Sequence, residues 1–444
     1  MKRHFLLLAA FVLTLVGYVI SAETGDEGKP RVTVFRGATV IDGTGKEPAG
    51  NADVVVKDGK IESVSASAVI PEGAEVIDVT GKTIMPTLIS AHSHLGLIKG
   101  TKGASANVTE ENVRRQLKQY GRYGIGTVTS LGADGDFIYK LRDERDSRPG
   151  DGPRIFTAGL GFGVVGGAPP AAAGLDQVHR PATAEEARAQ VNELAKRKPD
   201  FVKIWIDDFN GSMPIKMSRE VRRAIISEAH KNGLKVAAHV YYLSDARELV
   251  NEGIDVLAHS IRDQPVDDAL VTAMKEKGTF YIATLFLDEA FFAYADQPDW
   301  MKDPFFTNAL EPGAADLLKP DVFKPKPGSR EVLQLASRNV KKLHEGGVEI
   351  GFGTDSGANP YRVQGFAEHR ELQLMVAAGF TPVDAICAAT RTNATLLGKA
   401  DTMGTLEPGK QANFLVLDAN PLEDIRNTEK IHQVWLDGKR QDLK

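Results

Sequence analysis

The sequence predicts a (β/α)8 barrel, the TIM-barrel architecture of the α/β class, carrying a small β-sandwich made by both chain termini. Three observations predict it. Short apolar β segments alternate with amphipathic helical stretches through the middle of the chain. The two ends read as β-rich and differ in style from that middle. His92, His94, Lys203, His239, His259 and Asp355 end or interrupt five of the candidate strands, the first, fourth, fifth, sixth and eighth, whose ends a parallel barrel gathers at one rim.

Taken in order, Lys2-Arg3 and the apolar run Phe5 to Ile20, followed by Ile20-Ser21-Ala22, read as an export signal over residues 1–22. The apolar run is short for a membrane span, so no stable span is expected once the signal is cleaved. The protein is expected outside the cytoplasm, periplasmic or secreted. Retention of the segment as an anchor stays open.

Residues 30–83 read as short strands, with Asp58-Gly59 a hairpin signal. Residues 403–444 repeat the style and carry Asp437-Gly438. The two segments are expected to form one composite domain around a barrel spanning 84–402. The barrel strands read as Ile84–Ala91, Thr127–Leu131, Arg154–Ala158, Phe201–Ile206, Lys235–Val240, Val256–Ser260, Thr279–Leu285 and Glu349–Thr354. Helical periodicity marks Glu110–Tyr123, Ala184–Arg197, Arg219–Asn232, Asp245–Asn251, Arg330–Glu345, Glu368–Ala378 and Pro382–Thr390. Residues 159–182 and 286–329 are long connections at the rim end, expected to act as lids or pocket walls.

Composition narrows the function. The chain is 42% hydrophobic and 25% charged, an ordinary globular balance. The net charge is −5 and no basic stripe appears, which argues against nucleic acid. Its single cysteine, Cys387, sits in a helical pattern and excludes an intrachain disulfide. There is no Gly-x-Ser-x-Gly elbow and no phosphate-cradling glycine loop.

Two imidazoles two residues apart on a strand can hold one cation from one side. Each of the six polar residues alone has a structural explanation: a buried histidine can be hydrogen-bonded core, Asp355 can cap a helix, and Lys203 can pair with Asp207 or Asp208. Their joint order along the strands favours a metal centre.

That set resembles the metal-dependent amidohydrolase superfamily, in its imidazolonepropionase-like and prolidase-like branch. The motifs are Ala91-His92-Ser93-His94, Val202-Lys203-Ile204, Ala238-His239, Ala258-His259-Ser260 and Gly353-Thr354-Asp355-Ser356, with Gly404-Thr405-Leu406-Glu407-Pro408-Gly409 near the end. The resemblance implies two divalent ions, with zinc suited to the donor set. His92, His94 and Asp355 would bind one ion and His239 and His259 the other. Lys203, carboxylated by carbon dioxide, would bridge them. It also implies a metal-bridging hydroxide as nucleophile and Asp355 as the catalytic proton carrier. One departure is plain: Thr87 and Ser90 stand where many relatives have Gly and Asp.

Tyr241, Tyr242, Arg262 and His179 are candidate substrate contacts, with wall packing and local ion pairs as their structural alternatives. The expected activity is hydrolysis of an amide bond in a dipeptide, Xaa-Pro or other, or in an N-acyl amino acid. The alternatives are opening of a cyclic amide or lactone, and a metal-carrying binding protein without turnover. The expected partner is a small molecule, and association into a homo-oligomer is left open.

Overall fold

The computed structural model describes residues 31–171, 175–213 and 215–443. The export signal read over residues 1–22 lies outside the described residues. Both ends of the described chain build one sheet. Its strands run in the order Lys439–Arg440, Ile431–Leu436, Phe414–Leu417, Thr83–Pro86, Val32–Val40, Ala49–Lys57, Lys60–Ser65, with Glu75–Asp78 beside Val32–Val40. Both Asp-Gly turns are left-handed at each central residue: φ is 50° and 79° at Asp58 and Gly59, 45° and 73° at Asp437 and Gly438. That conformation matches the twist of the flanking strands. Phe35, Val54, Ile84, Phe414 and Trp435 meet in the core of this sheet.

The eight strands of the small domain expected as a β-sandwich are joined by hydrogen bonds into one connected sheet. The cause lies in Val32–Val40, which is irregular after Phe35. Its first half pairs with Glu75–Asp78 and its end with Thr83–Pro86, so one strand serves both parts of the sheet.

The barrel strands are β1 (Leu88–Ser93), β2 (Ile125–Ser130), β3 (Arg154–Thr157), β4 (Phe201–Trp205), β5 (Lys235–His239), β6 (Val256–Ala258), β7 (Phe280–Ile282) and β8 (Ile350–Gly351). They pair in parallel as two arcs, β1 to β3 and β4 to β8. Two seams close the ring. Ala91 N–H donates to Phe352 O (2.9 Å) and Thr354 N–H to His92 O (3.0 Å). Opposite them, Phe162 N–H donates to Lys203 O (2.8 Å) and Trp205 N–H to Phe162 O (2.9 Å).

Strand alternation places the functional side chains. On β4, Phe201 packs in the interior cluster with Ile89, Ala91, Phe156, Ala237 and Ile282. Val202 and Ile204 pack outward against helical residues such as Val191 and Ile225. Lys203 shares the face of Phe201 and so points inward. Side-chain oxygens start the helices that cover the outside: Thr109 accepts from Asn112 N, Thr183 from Glu186 N, Ser218 from Val221 N and Asp267 from Leu270 N.

Several expectations need correction. The single strand Ile84–Ala91 is two strands. Thr83–Pro86 pairs with Phe414–Leu417, whereas Leu88–Ser93 belongs to the barrel. The switch falls at Thr87, whose N–H donates to Asn413 O (3.1 Å) while that of Leu88 donates to Gly124 O (3.0 Å). The strand Thr279–Leu285 ends at Ile282, and Leu285–Glu289 is a short helix. The Leu285 and Phe286 N–H groups donate to the buried Glu371 carboxylate (2.8 and 2.7 Å), which starts that helix. Residues 286–329 are not an open loop but hold further helical turns around Tyr294, Trp300, Phe306 and Phe323.

Candidate metal centre

The rim ends of β1, β4, β5, β6 and β8 meet at one cluster. On β1 the strand register shifts between Ser90 and Ser93, just where the two histidines begin. His94 Nε2 lies 2.9 Å and His92 Nε2 3.2 Å from the same atom, Asp355 Oδ1. These three residues could hold a metal ion, their ligand atoms lying within 4.8 Å of one another. The His259 ring stands between two others, with centroids 4.6 Å from His92 and 4.3 Å from His239. Lys203 Nζ is fully buried and has no hydrogen-bond partner among the described residues. The structure thus brings together all six residues that the strand pattern singles out.

Backbone and packing hold these side chains in place. His259 (φ 77°) and Asp355 (φ 57°) are left-handed although neither is glycine. Such conformations cost free energy and persist only where the surroundings impose them. His259 Nδ1 lies 3.0 Å from Thr284 Oγ1, which orients the ring and leaves Nε2 for a ligand role. The His239 ring stacks on Phe209 at 4.5 Å. Gly132 makes room for the lysine: at φ 100°, its added Cβ would stand 2.6 Å from the Trp205 ring and 2.9 Å from Lys203 Cγ.

Electrostatics keeps the donors ready. Burial, helped by the Lys203 charge, pushes the His92 imidazole down to about 3. Burial also holds His239 and His259 well below the usual imidazole range. Neutral imidazole is the form that ligates a cation. Burial pushes the Lys203 amine down to about 7 against the pull of Asp355 and Asp207. For Asp355, burial acts upward, but Arg362, His92 and His94 outweigh it and hold the carboxyl well below its usual range.

Behind β1 and β8 a buried hydroxyl network supports the cluster. Glu368 Oε1 accepts from Thr354 Oγ1 (2.7 Å), Ser356 Oγ (2.7 Å) and Ser90 Oγ (3.3 Å). The Ser90 and Ser93 hydroxyls lie 2.8 Å apart, and those of Tyr120 and Ser356 2.6 Å. The serine at position 90 is thus a working member of this support.

A cavity of about 420 Å³ opens onto the cluster. His94, His239, His259 and Asp355 form its floor, with His92 and Lys203 buried beneath. Trp205, Phe209, Leu287 and Phe291 give an apolar wall, and Tyr241, Arg262, Asp288 and Arg362 a polar one. Both long connections contribute, through Pro170 and Leu175 on one side and Leu287 to Gly328 on the other.

Of the four candidate substrate contacts, Tyr241 and Arg262 reach this cavity. Arg262 pairs with Asp288 (3.4 Å), not with Asp263 or Asp267, and lies over the Tyr241 ring. Asp263 instead accepts from Leu243 N–H (2.8 Å) and Asp267 caps the helix Asp268–Lys277. The other two do not line it. Tyr242 turns its hydroxyl to Asp208 Oδ1 (2.7 Å), and His179 stacks on Phe162 at 4.9 Å to pin the loop after β3. The strand pattern misses Asp288 and Arg362. Both lie in segments without strand alternation, and nothing in the sequence marks either charge as buried.

Comparison with known proteins accords with this geometry. The chain matches the family described as Amidohydrolase family over residues 83–440. It is 26% identical to the ochratoxinase of Aspergillus niger over 460 aligned residues, 93% of this chain and 87% of that one. A candidate prolidase of Bifidobacterium longum superposes with a TM-score of 0.74 at 30% identity, over 92% of this chain and 94% of that one. A Xaa-Pro dipeptidase solved with bound methionine, 24% identical, superposes with a TM-score of 0.74 over 92% and 99% and shares the fold. The chain belongs to the amidohydrolase family and is a metal-dependent hydrolase acting on carbon–nitrogen bonds.

Proposed function

We propose that this protein is an exported hydrolase that cleaves the amide bond of a dipeptide or an N-acyl amino acid. Two divalent cations, zinc by preference, are held by His92, His94, Lys203, His239, His259 and Asp355. The observation that carries this reading is a wholly buried amine, Lys203 Nζ, without a hydrogen-bond partner among the described residues, lying in a cluster of four imidazoles and one carboxylate held well below its usual range. A buried amine without a partner is costly. Addition to carbon dioxide removes the cost. The neutral amine attacks the carbon, a proton leaves, and the resulting carbamate is an anionic ligand with two oxygens. An amine titrating near 7 supplies the neutral form that this addition requires.

When bound, the cations supply Lewis acidity toward the scissile carbonyl and lower the pKa of water. The chain's own residues do the rest. Asp355 faces the cavity as a carboxylate and moves a proton from the attacking water to the departing nitrogen. Trp205, Phe209, Leu287 and Phe291 exclude water and receive an apolar side chain. Tyr241 and Arg262 orient the polar part of the substrate. Export rests on residues 1–22, and among the described residues no helix is long and apolar enough to cross a membrane.

A panel of dipeptides, N-acyl amino acids and lactones tests the reading. Amide hydrolysis that disappears with chelator and returns with zinc is the expected result. Turnover of lactones alone, or metal binding with no turnover, would replace it with one of the two alternatives.

A further inference from the structure

Arg362 is a buried guanidinium whose present partner has a second claim on it. It is 9% exposed and lines the cavity. It forms an ion pair with Asp355 Oδ2, and its Nε has no hydrogen-bond partner among the described residues. A tight turn fixes it, with Gly357 N–H donating to Arg362 O (3.0 Å) and Arg362 N–H to Asn359 O (3.1 Å). Its guanidinium carbon sits 5.5 Å from the Phe291 ring centroid, and both residues line the cavity. The other acid acting on it is Asp288, which is already paired with Arg262 at 3.4 Å.

The other oxygen of Asp355 lies against His92 and His94. Divalent cations and a guanidinium therefore compete for one negative charge. Once cations take it, Arg262 and Arg362 are left to share the Asp288 carboxylate beside a positively charged cluster. A buried cation that loses its partner demands another. Among the described residues, the cavity offers no further carboxylate on this wall.

We propose that Arg362 exchanges carboxylates, pairing with Asp355 in the metal-free protein and with a carboxylate of the bound ligand in the metal-loaded protein, so that metal and anionic ligand bind cooperatively. This rests on the proposed function only in taking Asp355 as a metal ligand. It makes Arg362 a specificity residue: the preferred amide carries a free carboxylate that reaches the Arg362–Phe291 wall. Linkage makes the effect reciprocal, so each partner tightens the other by the same factor.

The test is an equilibrium measurement on the full-length metal-free protein. Zinc affinity is read by competition with a chromophoric chelator, alone and with saturating 3-phenylpropionate. That probe has a carboxylate and a phenyl ring but no bond to hydrolyse, and 3-phenylpropanol is its neutral control. In the wild type the acid tightens zinc about 10-fold, within the usual range of coupling between sites, and the alcohol does not. Arg362→Met, which frees Asp355 from its competitor, binds zinc tighter than the wild type without ligand and loses the coupling. Arg362→Lys, which keeps the charge, retains part of it. Coupling that persists undiminished in Arg362→Met assigns the carboxylate to the metals and overturns the proposal. Zinc binding without any coupling in the wild type overturns it as well, and needs no variant. Failure of the wild type to bind zinc at all instead defeats the function proposed above.

Discussion

At the scale of the residue, Asp355 joins three demands in one carboxylate: His92 and His94 on Oδ1, Arg362 on Oδ2 and the open cavity above. Asp355→Asn keeps the side-chain shape but cannot carry the proton. It is expected to keep the unfolding midpoint within a few degrees and to lower kcat by about 10²–10⁴-fold, the usual worth of a positioned acid–base group. Full turnover in that variant would remove Asp355 from proton transfer. Glu368 acts at one remove, through the three hydroxyls that it accepts. Glu368→Gln is expected to weaken metal affinity about 10–100-fold, measured by chelator competition, with the fold intact. The six residues of the cluster are legible in the sequence because each sets a polar group into an apolar strand, where burial is costly without a partner. Arg362 is not legible, because it lies in a turn where no periodicity distinguishes a buried charge from an exposed one. Tyr242 follows the same strand as Tyr241, yet adjacent residues diverge, and only Tyr241 reaches the cavity.

At the scale of the element, the seam between β1 and β8 decides whether His92 and Asp355 meet. Asn393 fastens it from below: its Nδ2 donates to Ile89 O (2.6 Å) and Phe352 O (2.7 Å), and its Oδ1 accepts from Phe352 N–H (3.0 Å). Asn393→Ala removes the partner of Phe352 N–H and of Ile89 O, while Phe352 O keeps Ala91 N–H, and we expect a loss of about 2 kcal/mol in urea unfolding. A change below about 0.5 kcal/mol, typical of surface substitutions, would show that the seam holds without it. Asn393 follows a π-helical turn, Ala388–Thr392, so the helix expected over Pro382–Thr390 ends at Cys387. Glu110–Arg122 and Arg219–Lys231, which open on a Thr and a Ser cap, are legible to within a residue of their ends. Phe137–Ser147 is not legible, because Asp136 makes no capping bond and charges interrupt its apolar face. Nor is the split at Thr87, since both sheets call for the same buried, apolar sequence on either side of it.

At the scale of the whole molecule, one packing contact ties the barrel to the turn Ile425–Glu429, between two strands of the small sheet, and carries a pH signature. His369, on the helix Phe366–Ala378, is fully buried between Tyr123 O (2.8 Å from Nε2) and Thr428 Oγ1 (3.0 Å from Nδ1). Burial pushes its imidazole from 6.5 down to about 4. The unfolded chain therefore binds the extra proton first. The contribution is complete above pH 6.5 and falls by about 3 kcal/mol as pH drops toward 4. His369→Gln is expected to flatten that part of the stability profile, measured by denaturant unfolding at a series of pH values. An unchanged slope would assign the acid sensitivity to other groups. The barrel itself is legible from the strand–helix alternation, whereas the single continuous sheet at the termini is not, because its joining depends on one irregular strand.

The proposed function requires two cations, which a carboxylated Lys203 would help to hold. Elemental analysis of protein grown with ample metal, alongside Lys203→Ala, tests it most directly. The account predicts close to two metal ions per wild-type chain and loss of most of them in the variant, partly restored by short carboxylic acids. Equal metal content in the two proteins would contradict it.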